Sequence, residues 1–155
     1  YDASEMYGEN YGYRSGLNPS MVAHLRSKVE RIKSLGLVSD GDIILDIGAN
    51  DGTTLRQYEQ PGLRLVGMDP TGAKFREYYT DNILLVADFF SAANFRGALG
   101  ADARAKVVTS FSMFYDLEDP TGFMAEVREI LADDGIWVFE QSYMPLMLDT
   151  NSYDT

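Results

Sequence analysis

The sequence contains no cysteine, only one histidine, His24, and no long apolar run. The lack of cysteine excludes disulfides and thiolate metal sites within the chain, so we expect no metal. No apolar run reaches the roughly 18 residues of a membrane span, and the first residues do not resemble a charged and then apolar secretory leader. We therefore expect a cytoplasmic protein that does not associate with a membrane.

Basic residues are also scarce, since 13 Lys and Arg stand against 24 Asp and Glu, giving a net charge of −11. A surface of this charge repels a phosphate backbone, so nucleic acid is not an expected partner. The 155 residues, 45% of them hydrophobic, suffice for one domain with its own core. Because the chain begins with Tyr1 and ends at Thr155 without a closing structural element, we expect a piece of a longer protein.

Strand and helix patterns alternate over residues 18–155, after an irregular, tyrosine-rich arm at residues 1–17. Asn18 and Pro19 predict the start of a first helix, and Gly36 predicts its end. Short apolar runs then predict five strands, near residues 42–47, 63–68, 83–87, 106–111 and 136–141. Intervening helices are predicted near residues 53–60, 71–79 and 91–99, and from Asp119-Pro120 to Gly135. This order predicts an α/β fold whose mainly parallel sheet lies between two helix layers, with the last strand buried on both faces.

Polar residues follow the predicted strands at their carboxyl ends, where open parallel sheets bind ligands. These residues are Asp46, Gly48, Asp69, Asp88, Ser110, Ser112 and Gln141. The run from Ile43 to Thr54 is the most informative, because its glycines allow backbone to approach a ligand above the start of a helix. The run predicts a nucleotide-binding turn.

The spacing within this turn argues against a dinucleotide. Dinucleotide turns follow Gly-x-Gly-x-x-Gly and place a pyrophosphate on helix amides. Here Asp46 precedes Gly48 by two residues and Asp51 lies inside the turn, where both carboxylates would repel a pyrophosphate. A cofactor without phosphate, such as S-adenosylmethionine, tolerates such carboxylates. Asn50, at the middle position, adopts positive φ almost as readily as glycine and so preserves the turn.

These residues resemble class I S-adenosylmethionine-dependent methyltransferases. The family's first motif, acid-x-Gly-x-Gly-x-Gly, matches Asp46 to Gly52 with Asn50 as the middle residue. Three further segments are similar to its second strand, its adenine-edge motif and its fourth-strand segment, namely 66–70, 87–90 and 110–120. The resemblance implies a Rossmann-like three-layer α/β/α sandwich, here truncated after the fifth strand. It also implies cofactor contacts from Asp46, Gly48, Asn50, Gly52, Asp69, Asp88, Ser110 and Ser112, with Asp69 on the ribose.

Each of these acids also has a purely structural explanation. Asp46 could fix the turn by accepting backbone hydrogen bonds, while Asp69 and Asp88 could be helix caps or loop formers. The occurrence of four motifs in the family's order favours cofactor binding over these separate explanations.

A narrower resemblance covers nearly the whole chain, to the central domain of sugar C-methyltransferases that act on nucleotide-linked keto-deoxysugars. It rests on segments 11–18, 109–117, 139–145 and 151–155. In that family an N-terminal tyrosine and a His-Glu-His segment just after the last stretch supply bases and substrate contacts. The resemblance therefore implies a catalytic role for Tyr13, whereas the His-Glu-His segment is not in this chain. His24 is expected at the edge of the core.

Three alternatives stay open on the sequence alone: an O- or N-methyltransferase on a small molecule, a non-catalytic domain of a larger assembly, and a nicotinamide-dependent oxidoreductase. The expected partner is a small-molecule acceptor, in the favoured case a nucleotide-linked sugar. The sequence does not indicate an oligomeric state. Because the resemblance leaves part of the catalytic site outside the chain, we expect the chain alone to bind the cofactor but to methylate poorly.

Overall fold

The computed structural model describes residues 12–152, so most of the predicted tyrosine-rich arm lies outside the described residues. The described part contains five strands, namely β1 (Ile43–Ile47), β2 (Arg64–Met68), β3 (Ile83–Val86), β4 (Ala105–Phe111) and β5 (Leu131–Glu140). Its α-helices are α1 (Pro19–Ser34), α2 (Ala92–Leu99), α3 (Pro120–Ile130) and α4 (Met144–Thr150). None of the helices within residues 12–152 combines the length and the apolar character needed to cross a membrane.

The five strands form one sheet in the order β3-β2-β1-β4-β5, and every pairing is parallel. The strand order reverses between β1 and β4, which is where open α/β sheets leave a crevice for a ligand. The sheet confirms the predicted Rossmann-like α/β fold. It also places the turn that follows β1 at the centre of the sheet.

Helices cover both faces of the sheet. On one face, Ile43, Leu45 and Ile47 pack with Phe95 of α2 and Ile130 of α3. On the opposite face, Ile44 packs with residues of α1, including Val29 and Ile32. Successive side chains of β1 therefore point to different layers and are buried in both, as expected for a central parallel strand.

The first helix begins and ends where the sequence predicts. The Asn18 side chain accepts a hydrogen bond from the amide of Ser20 at 3.0 Å, and Pro19 is the first residue of α1. The helix ends at Ser34, and Gly36 then adopts φ of +66°. A polar cap at one end and a glycine at the other are the usual signals for these boundaries.

The helices predicted near residues 53–60 and 71–79 are wrong. The structure has 3-10 turns there instead, at Leu55–Gln57, Pro70–Ala73 and Arg76–Tyr78. Pro61 disfavours helical backbone in the residue before it, and two consecutive β-branched threonines open the first segment. In the second segment, a Cβ on Gly72 would meet Leu85 at 2.4 Å, so the chain passes tightly against β3.

The end of the sheet also differs from the prediction. Helix α3 ends at Ile130, and Gly135 lies inside β5 rather than ending the helix. The prediction of a last strand buried on both faces is wrong, since Phe139 is 50% exposed. Within the described residues β5 pairs only with β4, so it is an edge strand that is hydrogen-bonded to a neighbouring strand along one edge. The short helix α4 was not predicted.

Candidate functional site

The turn after β1 alternates between ordinary and left-handed backbone. Gly48, Asn50 and Gly52 adopt φ of +74°, +51° and +73°. Glycine adopts this conformation without steric cost, and asparagine is among the few other residues that tolerate it. Asn50 therefore fits the position that the family motif gives to its middle glycine. The prediction that Asn50 preserves the turn is confirmed.

Asp69, at the end of β2, joins the two neighbouring strand ends. Its Oδ2 accepts a hydrogen bond from the backbone amide of Asn50 at 2.8 Å, and its Oδ1 accepts from the amide and hydroxyl of Thr71 at 2.6 and 2.5 Å. A carboxylate offers about four acceptor positions. Among residues 12–152, three of them are used in this way, which leaves one position on Oδ2 for a ligand.

Two cavities lie above the carboxyl ends of the strands. The first has a volume of about 320 Å³ and includes Asp69 and Asn50 in its lining. Most of its wall is apolar, formed by Ile47, Met68, Pro70, Phe89, Phe90 and Phe123. An apolar slot with a few convergent polar groups is typical of a small-molecule site.

The second cavity, of about 380 Å³, is more polar and lies on the side of β4 and β5. Its lining includes Asp46, His24 and Glu140. The two cavities share four lining residues and therefore adjoin: Tyr13, Ser15, Gly48 and Ser112. No lysine or arginine of the described chain lines either cavity, so neither lining offers an ammonium or guanidinium group of residues 12–152 to a phosphate.

Asp46 is the buried acid of the second cavity, with 2% of its surface exposed. The Thr109 hydroxyl donates a hydrogen bond to its Oδ1. Burial raises the pKa of Asp46 to about 7, and the charge of Asp69 adds to this effect, against hydrogen bonds from Thr109 and Thr54. The carboxyl group is therefore poised to change its charge near neutral pH when a ligand binds.

His24 lies opposite the end of β5 and hydrogen-bonds Glu140. Its Nε2 lies 2.9 and 2.8 Å from the two carboxylate oxygens, and Lys28 Nζ lies 3.3 Å from one of them. Partial burial raises the pKa of Glu140, but the hydrogen bonds and charges of His24 and Lys28 outweigh it and lower the pKa below its usual value. The sequence placed His24 at the core's edge; it is partly exposed and lines the second cavity.

Several residues predicted to bind the cofactor lie outside both linings. Gly52 is buried, and a Cβ there would meet the Tyr79 ring at 3.3 Å. Asp88 is exposed and accepts a hydrogen bond from the amide of Phe89. The Ser110 hydroxyl is fully buried and accepts from the indole N–H of Trp137 at 2.9 Å. By contrast, Asp46, Gly48, Asn50, Asp69 and Ser112 all line a cavity.

The sequence matches the family described as "Methyltransferase domain" over residues 21–153. The chain belongs to this family. Membership confirms the identification of a class I methyltransferase domain and of S-adenosylmethionine as its cofactor. Two features of the site agree with that cofactor, namely the absence of lysine and arginine of residues 12–152 from the linings and the remaining acceptor position of Asp69.

The methyltransferase domain is similar to the C-methyltransferase NovU of Streptomyces niveus, with 26% identity over 147 residues. The match covers 94% of this chain and 35% of the relative, so the chain spans about a third of that protein's length. Among solved structures, it is similar to the plantazolicin methyltransferase BpumL, in complex with a pentazolic desmethylPZN analogue and SAH (TM-score 0.67, 15% identity, 89% and 53% of the two chains). Another is the glycopeptide N-methyltransferase MtfA, complexed with S-adenosylmethionine (TM-score 0.56, 22% identity, 76% and 53%). These two structures establish the fold.

The site of the methyltransferase domain includes residues that sequence reasoning did not select. Phe89 and Phe90 line the first cavity, although only Asp88 was chosen from their segment. Met113 packs against the turn, since a Cβ added to Gly48 would meet the Met113 side chain at 3.4 Å. Glu140 was passed over in favour of the neighbouring Gln141, which is exposed. Hydrophobicity signals could have identified the two phenylalanines, whereas the pairing of His24 with Glu140 depends on tertiary structure.

Proposed function

We propose that this chain is the cofactor-binding part of an enzyme that transfers a methyl group to carbon of a nucleotide-linked keto-deoxysugar. The observation that carries the proposal is the similarity to a C-methyltransferase along 94% of the chain. The position of Tyr13, which lines both cavities and is 48% exposed, supports it. A cytoplasmic location remains part of the proposal.

The two cavities differ in polarity in the way that the two ends of the cofactor do. The apolar first cavity suits the adenine ring, with Phe89 and Phe90 on its wall and Asp69 available to a ribose hydroxyl. The polar second cavity suits the amino-acid end, with Asp46 available to its ammonium group. Gly48 and Ser112 line both cavities and would lie beside the middle of the cofactor. The roles of Gly52, Asp88 and Ser110 as direct contacts have no such support.

When bound, S-adenosylmethionine supplies a methyl group that is already activated as a sulfonium. The protein's task is then to hold the acceptor in line with that group and to exclude water. A carbon acceptor also needs a base to remove the proton beside its ketone, and a donor to stabilise the enolate oxygen. Tyr13 is the described residue that we assign to contact with the acceptor, because it lies where the cavities meet.

The test uses the full-length protein, S-adenosylmethionine labelled with carbon-13 on the methyl group, and a nucleotide-linked keto-deoxysugar. We expect an NMR signal from a methyl group bonded to carbon, and a large loss of kcat in Tyr13→Phe. A methyl signal on oxygen or nitrogen would instead favour the O- or N-methyltransferase. Binding of SAH without turnover on any keto-sugar would favour the non-catalytic domain, and binding of a nicotinamide dinucleotide would favour the oxidoreductase.

A further inference from the structure

The segment 13–16 contributes Tyr13 and Ser15 to the linings of both cavities and is hydrogen-bonded to the turn after β1. The two stretches are 35 residues apart in sequence. Asn50 Oδ1 accepts a hydrogen bond from the amide of Ser15 at 3.0 Å, and Asn50 Nδ2 donates one to the carbonyl of Tyr13 at 3.0 Å. Both polar atoms of this one side chain are thus used to hold the segment.

Asp51, the next residue, binds the same segment from a fully buried position. Its Oδ2 accepts a hydrogen bond from the amide of Gly16 at 3.1 Å and lies 3.7 Å from Arg14 Nε. The Arg14 guanidinium also lies over the ring of Tyr78, 3.9 Å from its centroid. A cation over an aromatic face is attracted by the ring quadrupole, so Arg14 ties the segment to a second element.

The backbone around Asn50 is fixed independently of the Asn50 side chain, whereas the Asp51 side chain also accepts a hydrogen bond from the amide of Thr53 within the turn. Asn50 donates its amide to Asp69 and accepts the Tyr79 hydroxyl on its carbonyl at 2.9 Å. Burial raises the pKa of Tyr79, so its hydroxyl stays protonated and keeps donating. The Asn50 side chain is therefore not needed to form the turn, and a glycine at this position would adopt the same backbone conformation.

We propose that Asn50 and Asp51 act as a latch that positions Tyr13, and that Asn50 is a positioning residue for Tyr13 rather than a cofactor ligand. This inference explains why the turn carries an asparagine at position 50, where a glycine would give the same backbone. The part that concerns Tyr13 chemistry rests on the proposed function. The latch itself can be tested without any acceptor.

The first experiment measures tryptic cleavage of the bond after Arg14 by mass spectrometry, in the full-length protein without acceptor. Asn50→Gly keeps the turn and removes two hydrogen bonds, so we expect cleavage to rise roughly 5- to 150-fold if the segment opens before it is cut. Asn151→Gly is the matched control, since Asn151 has φ of +50° in an exposed position away from the cavities. Equal cleavage rates in wild type and Asn50→Gly would overturn the latch.

Gly16 offers a test from the other side of the same contact. A Cβ on Gly16 would lie 2.5 Å from Asp51 Oδ2, whereas one on Gly12 would meet nothing within 4 Å. We therefore expect Gly16→Ala to raise cleavage after Arg14 as Asn50→Gly does, and Gly12→Ala to leave it unchanged. If Gly16→Ala cleaves at the wild-type rate, Asp51 does not hold the segment.

The second experiment is a double-mutant cycle on methyl transfer. If Asn50 acts through Tyr13, Asn50→Gly lowers kcat in the wild-type background and has no further effect in Tyr13→Phe. Equal effects in both backgrounds would overturn the positioning role and leave the latch intact. A wild-type enzyme that does not turn over would refute the proposed function alone, because the cleavage experiment still decides the latch.

Discussion

Replacing Asp69 by alanine removes the carboxylate at the end of β2 that we assign to the ribose hydroxyls. One acceptor position on Oδ2 is open to the ligand. A hydrogen bond to a charged group contributes about 1.5–3 kcal/mol, so the Kd for SAH should rise roughly 10- to 150-fold. Isothermal titration calorimetry measures this change directly.

The same substitution also destabilises the fold, because Asp69 caps the 3-10 turn and satisfies the Asn50 amide. Loss of the cap costs about 1 kcal/mol, and an orphaned buried amide about 1–3 kcal/mol more, measurable by urea unfolding. Thr71→Val is the control, since it removes one hydrogen bond to Oδ1 and keeps the carboxylate. We expect Thr71→Val to lose stability without losing affinity. A folded Asp69→Ala protein with wild-type affinity for SAH would refute the ribose assignment.

Two other residues give further predictions. Burial raises the pKa of Asp46 to about 7, above its value in the unfolded chain. The free energy of unfolding of the cofactor-free protein should therefore fall as the pH rises from about 4 through 7. Urea unfolding of Asp46→Asn should show a weaker dependence on pH. If ionised Asp46 contacts the ammonium group of SAH, the affinity for SAH should be about tenfold weaker at pH 6 than at a pH where the carboxyl is fully ionised. A Kd that does not change with pH would contradict that contact. Ser110→Ala should lower the free energy of unfolding by about 1–3 kcal/mol, because it leaves the Trp137 indole N–H without its hydrogen-bond acceptor. The Kd for SAH should stay unchanged. A higher Kd would instead indicate that Ser110 contacts the cofactor.

The sequence predicted the sheet well because buried parallel strands are continuous apolar runs between turn signals. Every strand of the described sheet overlaps a predicted one. The segments after β1 and β2 were predicted as helices because strand and helix patterns alternate along this part of the chain. Prolines and close packing favour 3-10 turns there instead. At Gly72, for example, an added Cβ would meet the Leu85 side chain at 2.4 Å. Such contacts are between residues distant in sequence, which a local pattern does not report.

The candidate site was predictable where a residue follows a strand directly. Gly48 and Asp69 do so, and both line a cavity. Ser110 lies within β4, and its side chain points to Trp137 on β5, a direction that depends on which neighbour the strand has. The link from Asn50 to Tyr13 could not be read from the sequence either, because it depends on how the N-terminal segment returns over the sheet.

The charge of the two cavities has a consequence for turnover. Asp46 and Asp69 line them, with no lysine or arginine of the described chain among the lining residues, whereas the Glu140 carboxylate in the second lining is paired with His24 and Lys28. The methyl donor carries a sulfonium cation, and the thioether left after transfer does not. A negative site therefore retains the donor more strongly than the spent product, and methyl transfer itself removes one of the attractions that hold the ligand. We therefore expect the acids that make the cofactor site unsuitable for a dinucleotide's pyrophosphate also to favour product release.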